Sequence, residues 1–253
     1  MSGLQPPPYR TMHQHLVDRI GVEVVSGAPR SGETLDPEHI LAARLGVSRG
    51  AIREAVKALA AKGMVELRPR TGARVLPRSS WNLLDRRVLS WMQQTDPESL
   101  IVHLTDVRRL IEPGAAALAA ERALSDETAT LIAAHNAMGG AHQRGEPALF
   151  TAADIEFHHV LLGLTHNPVL TALNSSLEVA IQATFETTSA APGAVEATLP
   201  LHLQVAEAVG HHEPSRARAL METLLDTSAS NFADVRRITR EAAAAPSAGQ
   251  LAE

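Results

Sequence analysis

The chain has 253 residues, 45% of them hydrophobic, 3% aromatic and none cysteine, with a formal net charge of −5. That length makes one large domain or two ordinary ones, and a core drawn from Leu, Val, Ile and Ala favours helices over a sheet sandwich. The absence of cysteine excludes disulfides and thiolate zinc sites and suits a reducing, cytoplasmic setting. The opening MSGLQPPPYR shows no apolar run of a signal peptide. No stretch approaches the roughly 20 apolar residues of a membrane span. Charge is uneven. Residues 1–78 hold 12 Lys/Arg against 7 Asp/Glu, and residues 79–253 hold 11 against 21. A basic first part beside an acidic second part points to nucleic acid at one end and another task at the other.

Residues 1–9 are Pro-rich and read as a disordered tail. Met12, Leu16, Ile20 and Val24 recur every fourth position and predict an amphipathic helix over 9–26. Asp36-Pro37-Glu38 opens a second helix, with Asp36 as N-cap and Pro37 at the first helical position. It ends near Gly46. Ser48 caps a third helix, which runs to about Lys62. MVEL and ARVL are short β-prone runs, joined by the turn RPRTG. Helix, helix, tight turn, helix and hairpin make a winged helix-turn-helix over residues 10–78.

Trp81, Leu84, Val88 and Trp91 form a helical stripe, which predicts a linker or hinge helix over 79–95 packing between domains. Beyond it, every long segment has helical period. In DVRRLIEPGAAALAAERAL the spacing places Val107, Leu110, Ile111, Ala115 and Leu118 on the inward face. FTAADIEFHHVLLGL and LPLHLQVAEAV behave likewise. The fold class is therefore mainly α: the winged domain, then an all-helical bundle of six or seven helices over 96–241. Residues 242–253 read as a flexible tail.

The third helix is the expected recognition helix, whose N-terminal residues enter the major groove. Ser48, Arg49, Gly50 and Arg53 stand there. Arg49 and Arg53 are one turn apart, where guanidinium forks reach guanine edges or phosphates. Gly50 lets the backbone approach the duplex. Arg44 is placed for a phosphate. Arg70, Thr71 and Gly72 form the wing tip, which suits a minor groove. The competing account is a solvated charged face.

In the bundle, Asp154 and His158 are four apart on the face of Phe150, Phe157 and Leu161. His202 shares a face with Leu199, Val205 and Val209. One carboxylate and two imidazoles inward on helices suit a divalent ion such as zinc. Arg108 borders the same region by helical phase, and its fork suits a carboxylate. Its alternative is a surface salt bridge with Asp106 or Glu112. Thr198 is a hydroxyl donor one turn before His202. Asn167 lines the pocket or caps a helix.

LGVSRGAIREAVKALAAKGMVELRPRTGARV resembles the winged-helix domain of GntR-type bacterial transcription regulators. The later segments DVRRLIEPGAAALAAERA, ADIEFHHVLLGLTHNPVL and LHLQVAEAV resemble the FadR-type (FCD) effector domain of that family. The segment around Trp81 and Trp91 resembles its sugar-acid branch, such as galactonate repressors. The resemblance implies a repressor, a homodimer on a short operator palindrome, and an effector such as an aldonic acid. It also implies a metal site of one Asp and three His. Asp154, His158 and His202 match three of these positions, and the fourth falls near position 224, where Leu224 stands. Where such regulators often carry Arg, at the start of the second helix, this chain has His39. Two alternatives stay open: a metal-sensing regulator, and a metal-dependent hydrolase using the Asp/His/His set. Against the hydrolase, no nucleophile motif or further general base stands beside that set.

Overall fold

The computed structural model describes residues 12–69, 71–124, 126–188 and 193–244. The expected tail at 1–9 and the wing-tip residue Arg70 lie outside the described residues. The chain divides into two compact units, Met1–Leu100 and Ile101–Glu253.

The first unit opens with helix α1 (Met12–Val25), whose Leu16, Val17, Ile20 and Val24 are buried. Met12, expected on that face, is exposed. Helix α2 spans Glu38–Leu45 and α3 Arg49–Ala61. Pro37 occupies the N-cap of α2 in an extended conformation, with no side-chain cap. The expected cap at Asp36 is thus corrected by one residue: Pro37 donates no N–H, but its carbonyl accepts from Ile40 and Leu41. Gly46 turns the chain in the left-handed region at φ 67°, which glycine adopts without steric cost. Gly63 does the same after α3 at φ 72°, and an added Cβ there would lie 2.2 Å from the Ser80 carbonyl oxygen.

Strands β1 (Val65–Arg68) and β2 (Gly72–Val75) pair antiparallel, Val65 opposite Val75 and Arg68 opposite Gly72. A 3-10 turn, Arg78–Ser80, leads to α4 (Arg86–Thr95), capped by the Asp85 carboxylate. One core joins α1, Leu41 of α2, Ile52 and Leu59 of α3, Met64, Val65 and Val75 of the wing, and Trp81, Val88 and Trp91. The expectation that 79–95 is a single hinge helix packing between domains is corrected here. Trp81 precedes the helix, Leu84 is exposed, and both indoles sit in the core of the first unit.

Helix α5 (Pro97–Arg122) carries the chain into the second unit, which continues with α6 (Thr128–Gln143), α7 (Pro147–Gly163), the short α8 (Pro168–Thr171), α9 (Asn174–Thr188), α10 (Ala194–Gly210) and α11 (Pro214–Ala244). Its core packs Ala116, Ala119 and Ala120 of α5 against Leu131 and Met138 of α6, Phe157 and Leu161 of α7, Val205 and Val209 of α10, and Met221 and Leu225 of α11. Helix α11 continues to Ala244, into the segment expected as a tail.

The expected phase of α5 is corrected. Leu110 is 83% exposed and Val107 38%, whereas Arg108 and Glu112 are 6% and 0% exposed. The helix turns a charged pair and its alanines inward, because the two charges neutralise each other inside the bundle and alanine permits close helix packing. Of the residues expected inward, Ala115 is buried and Ile111 packs beside it, but apolar spacing alone placed the centre of the face too far towards Val107 and Leu110.

Candidate functional site

The basic face lies on α2, α3 and the wing. The Ser48 hydroxyl accepts from the Ala51 amide at 3.2 Å and so starts the recognition helix. Arg49 is exposed, and among the described residues its side chain has no ion-pair or hydrogen-bond partner. Gly50 is also exposed, and an added Cβ would meet only Ser48 Oγ, at 3.8 Å. Packing within the chain therefore does not require glycine there. Arg53 donates twice to the Glu38 carboxylate, at 3.0 and 2.8 Å. Arg44 donates twice to Glu23, both at 2.8 Å. Thr71 is exposed at the wing tip, and Gly72 opens β2 at φ 88°.

In the second unit, Arg108 of α5, Asp154 and His158 of α7, Thr198 and His202 of α10 and Leu224 of α11 line one cavity of about 50 Å³. Phe150 and Phe185, stacked with ring centroids 5.0 Å apart, form part of its wall. The charges are chained. Arg108 Nε donates to Glu112 Oε1 at 2.6 Å, and Arg108 Nη2 lies 3.1 Å from His158 Nε2. His158 Nδ1 approaches Glu112 Oε2 at 2.8 Å, close enough for an ion pair but out of line for a hydrogen bond. His158 Nε2 is 3.4 Å and His202 Nε2 is 3.1 Å from the same atom, Asp154 Oδ1.

Burial alone would raise the Glu112 carboxyl, but the Arg108 and His158 charges beside it hold it down at about 2. Burial works the same way on Asp154, where hydrogen bonds from His158 and His202 prevail and hold it far below the usual carboxylate range. For His158, burial opposes the charged form, and the Glu112 carboxylate overcomes it, lifting the imidazole above its ordinary value.

The donor chemistry of the trio fits a divalent ion. His202 Nδ1 lies 2.9 Å from the Thr198 carbonyl oxygen, which can only accept, so Nδ1 carries the proton. His202 Nε2 is turned to Asp154 Oδ1, 3.1 Å away, so a nitrogen and an oxygen donor converge where a shared cation would sit. His158 has Nδ1 beside the Glu112 carboxylate, which leaves Nε2 as the nitrogen turned towards Asp154. One ligand atom from each of Asp154, His158 and His202 can be chosen so that all lie within 4.8 Å of one another. Leu224 lines the cavity at the fourth expected position and offers no donor.

Residues 12–75 match the profile of bacterial regulatory proteins of the gntR family, and residues 103–227 match the FCD domain. The galactonate operon transcriptional repressor of Escherichia coli K12 is 34% identical over 222 residues, 87% of this chain and 96% of that one. The chain belongs to the GntR family. The uncharacterized HTH-type regulator YieP of Escherichia coli K12 is 30% identical over 89% of this chain and 97% of its own. The NanR repressor of Edwardsiella tarda is 28% identical over 78% and 75%. A solved structure described as Lar, which controls the agr system of Listeria monocytogenes, shares the fold with TM-score 0.65 at 17% identity, over 92% of this chain and 100% of that one. These relatives are named as transcription regulators, not enzymes. As a GntR-family regulator with an FCD domain, the protein binds operator DNA through its winged helix and an effector through its helical domain. Among the described residues no helix is long and apolar enough to cross a membrane.

Of the two roles open to Asn167, the structure shows the cap: its Oδ1 accepts from the Val169 and Leu170 amides at the start of α8, and it is not among the residues that line the cavity. Glu112 was missed as part of the site, although its spacing of four from Arg108 is that of a helical ion pair. Ser228 and Asn231 also line the cavity. With Leu224 they form an i, i+4, i+7 stripe that the sequence displays. Thr184 and Phe185 line it from α9, with no comparable signal.

Proposed function

We propose that this GntR-family protein is a cytoplasmic, homodimeric repressor of sugar-acid catabolism, released from or tightened on its operator by a small carboxylate such as an aldonic acid. The observation that carries the reading is the buried Arg108 guanidinium on the wall of a cavity it shares with Asp154, His158, Thr198 and His202. The kinship with a galactonate operon repressor supports the choice of acid. Arg108 would meet the carboxylate with Nη1, since Glu112 and His158 engage Nε and Nη2. Thr198, Ser228 and Asn231 would meet hydroxyls. Asp154, His158 and His202 would hold a divalent ion such as zinc, which supplies a Lewis-acid centre for effector oxygens. The cavity holds only a few water-sized groups at its present volume of about 50 Å³. A six-carbon acid therefore requires Phe185 to swing, which would join the cavity to the apolar groove of Pro147, Thr151 and Ile155 that Phe185 also lines. Regulation then requires the acid to bind one arrangement of the DNA-binding units better than another.

The test is thermal unfolding with a panel of sugar acids, on protein stripped with EDTA and on protein reloaded with zinc. A ligand of the native state raises the melting temperature by mass action. Stabilisation by one acid supports the reading, and its dependence on zinc tells whether the metal takes part. No shift with any acid sinks it. In parallel, Arg49→Ala should weaken specific operator binding on the order of tenfold or more. The convergence of three ligand atoms within 4.8 Å favours one further reading, a metal-sensing regulator. Operator affinity that responds to zinc and to no organic acid would establish that version.

A further inference from the structure

The basic recognition face has an acidic residue among its cations. Glu38 is the first residue of α2, and its carboxylate receives Arg53 Nε at 3.0 Å and Arg53 Nη2 at 2.8 Å. Both side chains are exposed, 62% for Arg53 and 40% for Glu38. An exposed ion pair adds little stability, and a carboxylate near a phosphate backbone is repelled. Its place at the start of α2 suits a negative charge, but attraction to a phosphate backbone does not account for it.

The hydrogen-bond inventory of the guanidinium does. Arginine has five N–H donors in a rigid plane. Glu38 occupies the side edge, Nε and one hydrogen of Nη2. Among the described residues, the terminal edge, formed by Nη1 and the second Nη2 hydrogen, has no partner. That edge is a planar pair of donors, the complement of guanine O6 and N7 in the major groove. The carboxylate itself is anchored, because the N-terminus of α2 favours negative charge and Arg49 adds further attraction. Glu38 is therefore the fixed partner and Arg53 the oriented one. The neighbouring Lys57–Glu54 pair lacks that property. Lys57 meets Glu54 through a single ammonium contact on the same helix, 2.8 Å long, and a rotatable ammonium defines no plane.

We propose that Glu38 is a positioning residue for base reading: it holds Arg53 so that the terminal edge of the guanidinium meets a guanine, and it withholds Arg53 from unspecific phosphate contacts. The proposal rests on the DNA-binding assignment of the winged domain.

The experiment is selection from a random-sequence duplex pool by the full-length wild type, Glu38→Gln, Arg53→Ala and Glu54→Gln, followed by binding titrations on the enriched sequence and its single-base-pair variants. The wild type should enrich a motif. Arg53→Ala should lose its preference at one G·C pair. Glu38→Gln should lose preference at that same pair, with discrimination falling on the order of tenfold. Glu54→Gln removes the same charge and should keep the motif. If Glu38→Gln binds all sequences more tightly with the motif intact, the carboxylate only tempers charge and the proposal is overturned. The same loss in Glu54→Gln overturns it as well. A wild type that enriches no motif would refute the DNA-binding assignment itself, and the proposal with it.

Discussion

Arg108 and Glu112 form an ion pair one helical turn apart inside the effector domain, 2.6 Å from Nε to Oε1, with side chains 8% and 1% exposed. Removing one partner strands the other charge in a low-dielectric interior, which costs about 3–5 kcal/mol. Glu112→Ala should therefore destabilise the second unit by that amount, while Glu112→Gln, which keeps volume and an acceptor, should cost less. Both tryptophans of the chain, Trp81 and Trp91, lie in the first unit. Denaturant unfolding followed by far-ultraviolet circular dichroism should lose its effector-domain step in Glu112→Ala, with the tryptophan fluorescence transition unmoved. Equal stability of the variant and the wild type would contradict a buried pair.

The same cluster sets a pH dependence for metal-free protein. Glu112 is held at about 2 in the folded chain against an ordinary 4.5. A depressed folded value means that its stabilisation, about 3 kcal/mol, is complete above pH 4.5 and is lost as pH falls from there towards 2. Asp154 shifts in the same direction. His158 is raised above 6.5, so its contribution is complete below pH 6.5 and disappears as pH rises through the folded value. The denaturation midpoint of EDTA-treated protein should thus fall on both sides of a mildly acidic optimum. Zinc should restore the alkaline side, since metal ligation needs unprotonated imidazoles. A midpoint that keeps rising from weakly acidic to alkaline pH without metal would contradict the His158 assignment.

Leu224 is 2% exposed and lines the cavity beside Asp154, His158 and His202. Leu224→His would supply a nitrogen donor where the site presently offers a hydrocarbon. Zinc affinity, measured by competition with a chromogenic chelator, should rise roughly 10–100-fold, at least the scale on which supporting residues tune metal sites. Unchanged affinity would mean that the Asp154 trio is not where zinc binds.

Much of the winged domain was legible because its signals are local. Ser48 caps a helix that it immediately precedes, and Gly46 and Gly63 mark the turns where φ is positive. The Asp154, His158 and His202 trio was legible for the same reason, since each polar side chain shares a helical face with apolar neighbours that are buried. Helix α5 was not. The rule that apolar residues face inward assigns Leu110 to the core, and it is 83% exposed. The rule fails where a buried face is built of alanine and a self-neutralising pair, because spacing does not reveal that Arg108 and Glu112 bury each other's charge. The roles of Trp81 and Trp91 escaped for a related reason. Their spacing suggested one helix, but the chain breaks between them and returns each indole to the core of the first unit.

Trp91 illustrates how tightly that return is specified. Its ring lies against Gly21 of α1, where an added Cβ would sit 2.7 Å from Cε3 and Cζ3. Its indole Nε1 donates to Asp18 Oδ1 at 3.0 Å, and Arg87 also pairs with Asp18 at 3.3 Å. The ring is thus held at its edge and cannot withdraw from the helix. In an exposed helix Gly→Ala stabilises by about 0.5–1 kcal/mol. Here the added methyl must displace a 1% exposed indole, and overpacking of this kind costs about 1–3 kcal/mol. Gly21→Ala should therefore lower the stability of the first unit, seen as an earlier tryptophan fluorescence transition, and leave the effector-domain step in place. The sign decides the matter, since a gain in stability would show that Trp91 does not pack against Gly21.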